Sequence, residues 1–447
     1  MSLKTKLNLF DFTMIMVSFV IGMGIFRTPV NVAKAVPDTQ LFFLTWIAGG
    51  VVALCGALTY AEIGSRYPIT GGYYRIFSVA YHPSVAFAIN GIILISNAAS
   101  LAGVSLIGAE YISAVLWPGQ TDLQTARLLI AIASILIFYA VNLLGLKMSA
   151  RTQNILTVIK IGLILLLITP LFLHTATPAP LTETATCHSW KSYIKAFGIG
   201  LVAVSFTYGG YQQSINFGEE VERPGKTIPR GIFLGIGIIL LLYLSINYAY
   251  IKVIGFTALK QSEGIAATMA TLVLGNSAGK ILSVLLFLSV LAYVNVLLMS
   301  NPRVMQAMSE DGMLPRAFAQ RTAKRDVLFT SLSVFAALCT LIVFWAKTFD
   351  EILSFSIFLD SFGMVLSAAT IFKLRKQTAH LNNSGIYQMK FFPLMPLVFM
   401  AAYALVAVSI FFDKPQTALI GLLMLALFMG LYFILNRKPN HSAPPNH

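Results

Sequence analysis

Charge is what this sequence has least of. Only 11% of the 447 residues are Asp, Glu, Lys or Arg, where a soluble domain carries roughly 25%. With 57% hydrophobic residues and a mean hydropathy of +0.79, the chain has too little polar surface to cover itself in water, and a soluble globular protein is excluded. Cysteine is scarce as well: Cys55 and Cys339 sit in apolar stretches and Cys187 in a loop, an odd number that supplies no disulfide framework. Histidine is absent from the middle of every apolar stretch, since His82, His174, His188, His380, His441 and His447 fall in loops, at stretch ends or in the tail. Imidazole chemistry and a metal site inside the apolar region are therefore not expected. Neither a cofactor nor a catalytic group is expected, which argues against a membrane-embedded enzyme.

What is present is a series of 12 apolar stretches, approximately 11–35, 41–64, 84–115, 127–146, 153–173, 192–217, 230–254, 281–309, 328–346, 351–374, 391–411 and 416–436. Each is about the length that crosses a bilayer as an α-helix. They follow one another without a break in composition, so the chain reads as one integral domain, 1–447, solvated by membrane lipid. The first stretch is too long for a signal-peptide core and no small-residue cleavage site follows it, so it is expected to remain as a span. The net charge of +14 has a topological reading. With the N-terminus in the cytoplasm, 20 of the 31 lysines and arginines fall in inner segments and 9 in outer ones, the usual excess of positive charge inside. Both termini are expected in the cytoplasm, the chain in the cell membrane, and no nucleic-acid partner is expected.

Two stretches are not ordinary helices. The first is interrupted by Gly22-Met23-Gly24 and the sixth, five spans later, by Tyr208-Gly209-Gly210-Tyr211. Glycine is also common where membrane helices pack closely, but interruptions at matching positions of two halves point to a transporter built from inverted repeats with its site between the breaks. The repeats would run over about 11–173 and 192–374, with 391–436 outside them. Unwinding a helix in lipid leaves peptide groups unpartnered at several kcal/mol each, and a zwitterion can complete them. The N–H groups of Met23, Gly24 and Ile25 would face a carboxylate at a positive helix end. Carbonyls of Val20, Ile21, Phe206 and Thr207 would face an ammonium. Gly22, Gly24 and Gly209 would allow the backbone to approach the ligand.

Charged residues within spans are expensive and point to function. Lys160 lies mid-span with Gln153 and Asn154 two turns earlier; it is expected to contact the break of the first span, the alternative being a lysine that snorkels to the interface. Asp360 and Glu110 are candidates for proton handling or for structural hydrogen bonding. Glu62 and Arg27 lie nearer the interfaces. The segment Glu219-Glu220-Val221-Glu222-Arg223-Pro224 reads either as an ion-paired inner gate or as a solvated loop.

These motifs resemble the amino acid–polyamine–organocation superfamily, and within it the L-type amino acid transporter branch, as a bacterial-type member. IGMGIF (21–26) is similar to a Gly-small-Gly-Ile-Phe signature, with Met23 in the small position. YAEIGSRYPITGGYYRI (60–76), VNLLGLKMSARTQNILTVIK (141–160), FTYGGYQQSINFGEEVERPGKTIPR (206–230), YLSINYAY (243–250) and NPRVMQAMSEDGMLP (301–315) each resemble a stretch of that branch. The resemblance implies an all-α integral membrane fold, a LeuT-like 5+5 inverted repeat with 12 transmembrane helices, of which the first and sixth are discontinuous. It also implies that Met23 and Gly24 hold the substrate carboxylate, and that Val20, Phe206 and Gly209 hold the amino group. Phe206 would serve as a gate and Tyr243 would steady the unwound part of the sixth span. Lys160 inherits the branch's functional lysine, whose usual hydroxyl partner falls at Leu297, with Asn295 nearby. Animal members form a disulfide with a heavy subunit through a cysteine between spans 3 and 4; here that loop, WPGQTDLQTA (117–126), has none, so no disulfide-linked heavy subunit is expected.

The function expected from these readings is sodium-independent secondary transport of L-amino acids by alternating access, as exchange or coupled to protons. Small or medium neutral side chains come first because no charged residue is expected near Phe206. A cationic amino acid or polyamine transporter is the alternative, and an amino acid sensor or a channel is the alternative from another class.

Overall fold

A computed structural model describes residues 6–22, 24–120, 123–173, 190–262, 264–345, 349–379 and 385–435. Helix occupies each of the twelve apolar stretches. The first is split into α1 (Leu9–Val20) and α2 (Gly24–Ala35), followed by α3 (Thr39–Arg66), a short α4 (Gly72–Ala80), α5 (Pro83–Leu116), α6 (Gln124–Leu143), α7 (Leu146–Ile168) and the single turn α8 (Pro170–Leu173). The second half runs through α9 (Trp190–Tyr208), α10 (Pro224–Ile254), α11 (Phe256–Gln261), α12 (Ile265–Leu274), α13 (Ala278–Glu310), α14 (Phe329–Trp345), α15 (Phe349–Gln377), α16 (Leu394–Asp413) and α17 (Pro415–Leu435). Eight helices among the described residues are long and apolar enough to cross a membrane.

Local chemistry sets the helix starts. Asn8 caps α1, accepting from the Asp11 N–H at 2.9 Å while the Asp11 carboxylate reaches back to the Asn8 N–H at 3.4 Å, which satisfies two of the donors a helix start leaves bare. Asp38 caps α3 through the Leu41 N–H at 2.8 Å and also accepts from the Tyr193 hydroxyl at 2.8 Å, tying α3 to the start of α9. Side chains such as Leu129, Ile137, Ile155 and Leu241 are more than half exposed; a contiguous apolar exterior of this kind requires lipid as its solvent. The interior is built around α5 and α13, the most extensively packed pair of helices. Trp46, Tyr208 and Tyr243 stack on one another with centroids 5.2–6.2 Å apart, which locks α3, α9 and α10 together beside the site.

The sixth apolar stretch, expected over 192–217 with an interruption at Gly209-Gly210, ends its α-helix at Tyr208 and does not resume one before 217. After Gly209-Gly210 the chain winds as 3-10 helix over Tyr211–Asn216. It then enters Gly218–Glu220 and pairs with the N-terminal segment: the Leu7 N–H donates to the Glu220 carbonyl at 2.6 Å and the Glu222 N–H to the Leu7 carbonyl at 2.9 Å. The mixed-charge segment is therefore not a solvated loop. Buried Glu220 accepts from Arg303 at 2.5 Å and from Arg321 at 3.2 Å, and Glu219 accepts from the Thr70 hydroxyl at 2.9 Å. Glu62 is likewise a buried hub, pairing with Arg66 and Arg375 at 2.7 Å each and accepting from the Met389 N–H.

Candidate substrate site between the broken helices

Both interruptions are real breaks in the backbone. Ile21 and Gly22 lie outside any helix, and the Gly22 N–H folds back onto the Val20 carbonyl at 2.8 Å. In the sixth stretch no helical turn spans Gly209 and Gly210: the Gly209 N–H closes on the Phe206 carbonyl at 3.2 Å, and the Gly210 N–H turns to Gln212 Oε1 at 3.0 Å. The Thr207 and Tyr208 carbonyls thereby lose the acceptor role that a continuing helix gives them, and α2 begins with N–H groups that the helix itself does not satisfy.

The two breaks press against each other, and glycine permits it. Gly210 has φ +108°, and a Cβ there would lie 2.5 Å from the Phe19 carbonyl oxygen. A Cβ on Gly24 would lie 3.0 Å from the Thr207 hydroxyl, which itself donates to the Thr28 hydroxyl of α2 at 2.8 Å. The first half of the broken span, α1, thus rests on the second break, and its second half, α2, is tied to α9.

Beside this contact lies a cavity with about 850 Å³ of empty space, mouth included. Of the residues expected at a site, Val20, Gly22, Gly24, Phe206, Thr207 and Gly209 line it. Ile21 and Ile25 are fully buried behind it, so their side chains are not part of the wall, while Met23 lies outside the described residues. Asp360 lines the cavity too, which corrects the expectation that no charged residue lies near Phe206. Glu110 is exposed toward the C-terminal end of α5 and is not part of the wall; a site role for it is withdrawn.

Lys160 stands behind the first break. Fully buried, it donates to the Ile21 carbonyl at 2.6 Å, the Ser18 hydroxyl at 3.1 Å and the Ser18 carbonyl at 3.3 Å, so it caps the unwound backbone rather than snorkelling. Asn295 does not touch it. Instead Asn142 donates to Asn295 at 2.9 Å, Asn295 to Gln153 at 2.8 Å and Gln153 to the Ser18 hydroxyl at 2.5 Å, a buried chain that ends on the lysine's own partner. Asn154 points elsewhere, to Asp11 at 2.6 Å. Tyr243 touches both broken spans: its ring packs on Tyr208 with centroids 5.2 Å apart, and its hydroxyl donates to the Val20 carbonyl at 3.0 Å. The Val20 and Ile21 carbonyls are thus already engaged, which shifts the ammonium-accepting capacity toward the carbonyls freed at the second break.

Several lining residues escaped the sequence reading. Asn97 of α5 donates to Asn301 at 2.7 Å and accepts from Gln213 at 3.0 Å; Ser100 and Tyr293 share a hydrogen bond of 2.9 Å; Ser96 and Tyr403 complete the polar wall. The run Ser96-Asn97-Ala98-Ala99-Ser100 was the available signal, a polar cluster within a long apolar stretch.

A sequence profile of the Amino acid permease family matches residues 7–435. The chain belongs to that family. Among its relatives are the serine/threonine exchanger SteT of Bacillus subtilis (strain 168), 25% identical over 96% of this chain and 97% of the relative, and the large neutral amino acids transporter small subunit 2 of Rattus norvegicus, 25% identical over 97% and 81%. The cystine/glutamate transporter of Pongo abelii is 27% identical over 98% and 87%. The permease is an all-α, multi-pass membrane protein and an amino acid transporter.

Proposed function

We propose that this permease carries small or medium L-amino acids by alternating access, independent of sodium, with the zwitterion held between the two breaks. The observation that carries the reading is the contact of Gly210 with the Phe19 carbonyl and of Gly24 with Thr207 on the wall of one cavity. Unpaired N–H groups at the start of α2 suit a carboxylate, and the carbonyls released at Gly209-Gly210 suit an ammonium. The buried amine of Lys160 supports sodium independence, because it already supplies a donor to the carbonyls of the unwound backbone. Neutral side chains come first, in keeping with the serine/threonine and large neutral names of two relatives. A cationic side chain is the second reading, favoured by Asp360 on the cavity wall.

In this reading the halves 11–173 and 192–374 rock against each other as repeats, and both termini face the cytoplasm of the cell membrane. No disulfide-linked heavy subunit takes part, since the loop 117–126 has no cysteine. The test is a thermal-shift panel over the twenty amino acids at two pH values, with and without sodium, followed by counterflow into liposomes. Trans-stimulated uptake of an amino acid that also stabilises the protein is expected. Flux without trans-stimulation would mean a channel, and binding without flux a sensor; either rejects the proposal.

A further inference from the structure

Asp360 is a carboxylic acid at membrane depth, partly accessible within the cavity and otherwise enclosed by protein. The groups around it are neutral. Ser96 of α5, Tyr293 of α13 and Tyr403 of α16 line the same cavity, and Tyr73 of α4 donates to Ser367, further along α15, at 3.3 Å. From α3, Tyr60 is committed to the same Ser367 at 2.5 Å. The α17 phenol, Tyr432, stacks on His82 and Phe87. Among the described residues no lysine, arginine or histidine lines the cavity, and Lys160 spends its donors on Ser18 and Ile21 behind the break. A bare carboxylate in such a place is costly, and the protein provides no counter-charge within the cavity.

We propose that Asp360 is the charge-reading residue of the cavity, accepting one positive charge on each loading. This rests on the transport reading above and deepens it. The charge has two sources: a proton that travels with a neutral amino acid, or the ammonium or guanidinium end of a cationic one. In the first case an O–H bond forms at the carboxylate on the loading side and breaks on the releasing side, so one proton crosses with each substrate. In the second the carboxylate stays ionised and the substrate's side chain pairs with it. Either way the loaded cavity carries no unpaired carboxylate.

The experiment uses the full-length protein in liposomes with the membrane potential clamped. Uptake of L-serine is measured with and without an inward gradient of 2 pH units, and uptake of L-lysine is measured beside it. The readouts are ratios within each variant, stimulation by the gradient and preference for lysine over serine, so changes in expression or turnover cancel. A proton source predicts gradient-driven accumulation of L-serine approaching about 100-fold, since each pH unit is worth a factor of ten. A cationic side chain predicts saturable L-lysine uptake with little response to the gradient. In Asp360→Asn the ratio that wild type displays should fall by about tenfold or more, and in Asp360→Glu it should persist, which separates loss of charge from misfolding. Wild type with neither ratio, or Asp360→Asn with both unchanged, overturns the inference. Wild type that moves neither amino acid, and no other from the panel, overturns the transport reading instead.

Discussion

Replacing Lys160 with alanine tests how the first break is held open. The ammonium contacts three acceptors, but they are not equivalent. The Ser18 hydroxyl keeps Gln153 as a donor at 2.5 Å when the lysine is gone, whereas the Ile21 carbonyl, bonded at 2.6 Å, has no second donor among the described residues. The Ser18 carbonyl, bonded at 3.3 Å, loses the lysine as well, so the substitution leaves buried carbonyls bare at Ile21 and, more weakly, at Ser18, at a cost of about 1–3 kcal/mol for the shorter bond alone. That cost falls on the unwound arrangement and not on a continuous helix, whose own N–H groups would satisfy the carbonyl. A shift of about 2 kcal/mol away from the open break lowers apparent substrate affinity roughly 30-fold, at 1.4 kcal/mol per factor of ten. Lys160→Met fills the aliphatic volume without donating and should behave like Lys160→Ala; a milder methionine variant would assign the effect to packing. The assay is the concentration dependence of counterflow in liposomes at matched protein content. Wild-type KM and maximal rate in both variants would refute the reasoning.

Gly210→Ala should abolish transport and lower thermal stability, because positive φ alone costs about 1–3 kcal/mol and its Cβ would meet the Phe19 carbonyl at 2.5 Å; Gly237→Ala, with open space around it, is the control that should behave as wild type. Tyr243→Phe removes one hydrogen bond to the Val20 carbonyl and should raise KM about 2- to 10-fold, for a loss of about 0.5–1.5 kcal/mol. The fold should survive, because the ring keeps its contacts with Trp46 and Tyr208; an unchanged KM would remove Tyr243 from the support of the break. Glu220→Ala leaves the buried Arg303 without its carboxylate, while Arg321 keeps Asp326 and Gln306; the detergent-solubilised protein should be destabilised by about 3–5 kcal/mol, seen as a lowered melting temperature, whereas Glu222→Ala, at an exposed position, should leave it unchanged.

The two breaks were legible in the sequence because glycine pairs interrupt otherwise continuous apolar runs, and Lys160 because a cation amid Ile155–Ile168 has few partners to choose from. Hydropathy reports depth in the membrane but not which way a helix faces, and this explains what was missed. Asn97 on its 34-residue helix could have faced any neighbour; its partner Asn301 lies 204 residues away. The same blindness kept Glu110 among the candidates and left open whether Asp360 faced the cavity. The 3-10 winding after Gly210 was hidden because Tyr211–Asn216 is as polar as a helix end. The bond from Tyr243 to the first break was missed because sequence places the residue on α10 but does not show that it lies opposite Val20.

The two pieces of the first broken span belong to different neighbourhoods. α2 is moored to α9 through Thr28 and Thr207, whereas α1 is held by α7 and α10 through Lys160 and Tyr243. Ile21 and Gly22 are consequently the joint where two separately anchored bodies meet. Any tilt of one body against the other must flex that joint, so under the proposed alternating access a change of the side on which the cavity opens also reshapes the grip on the cargo.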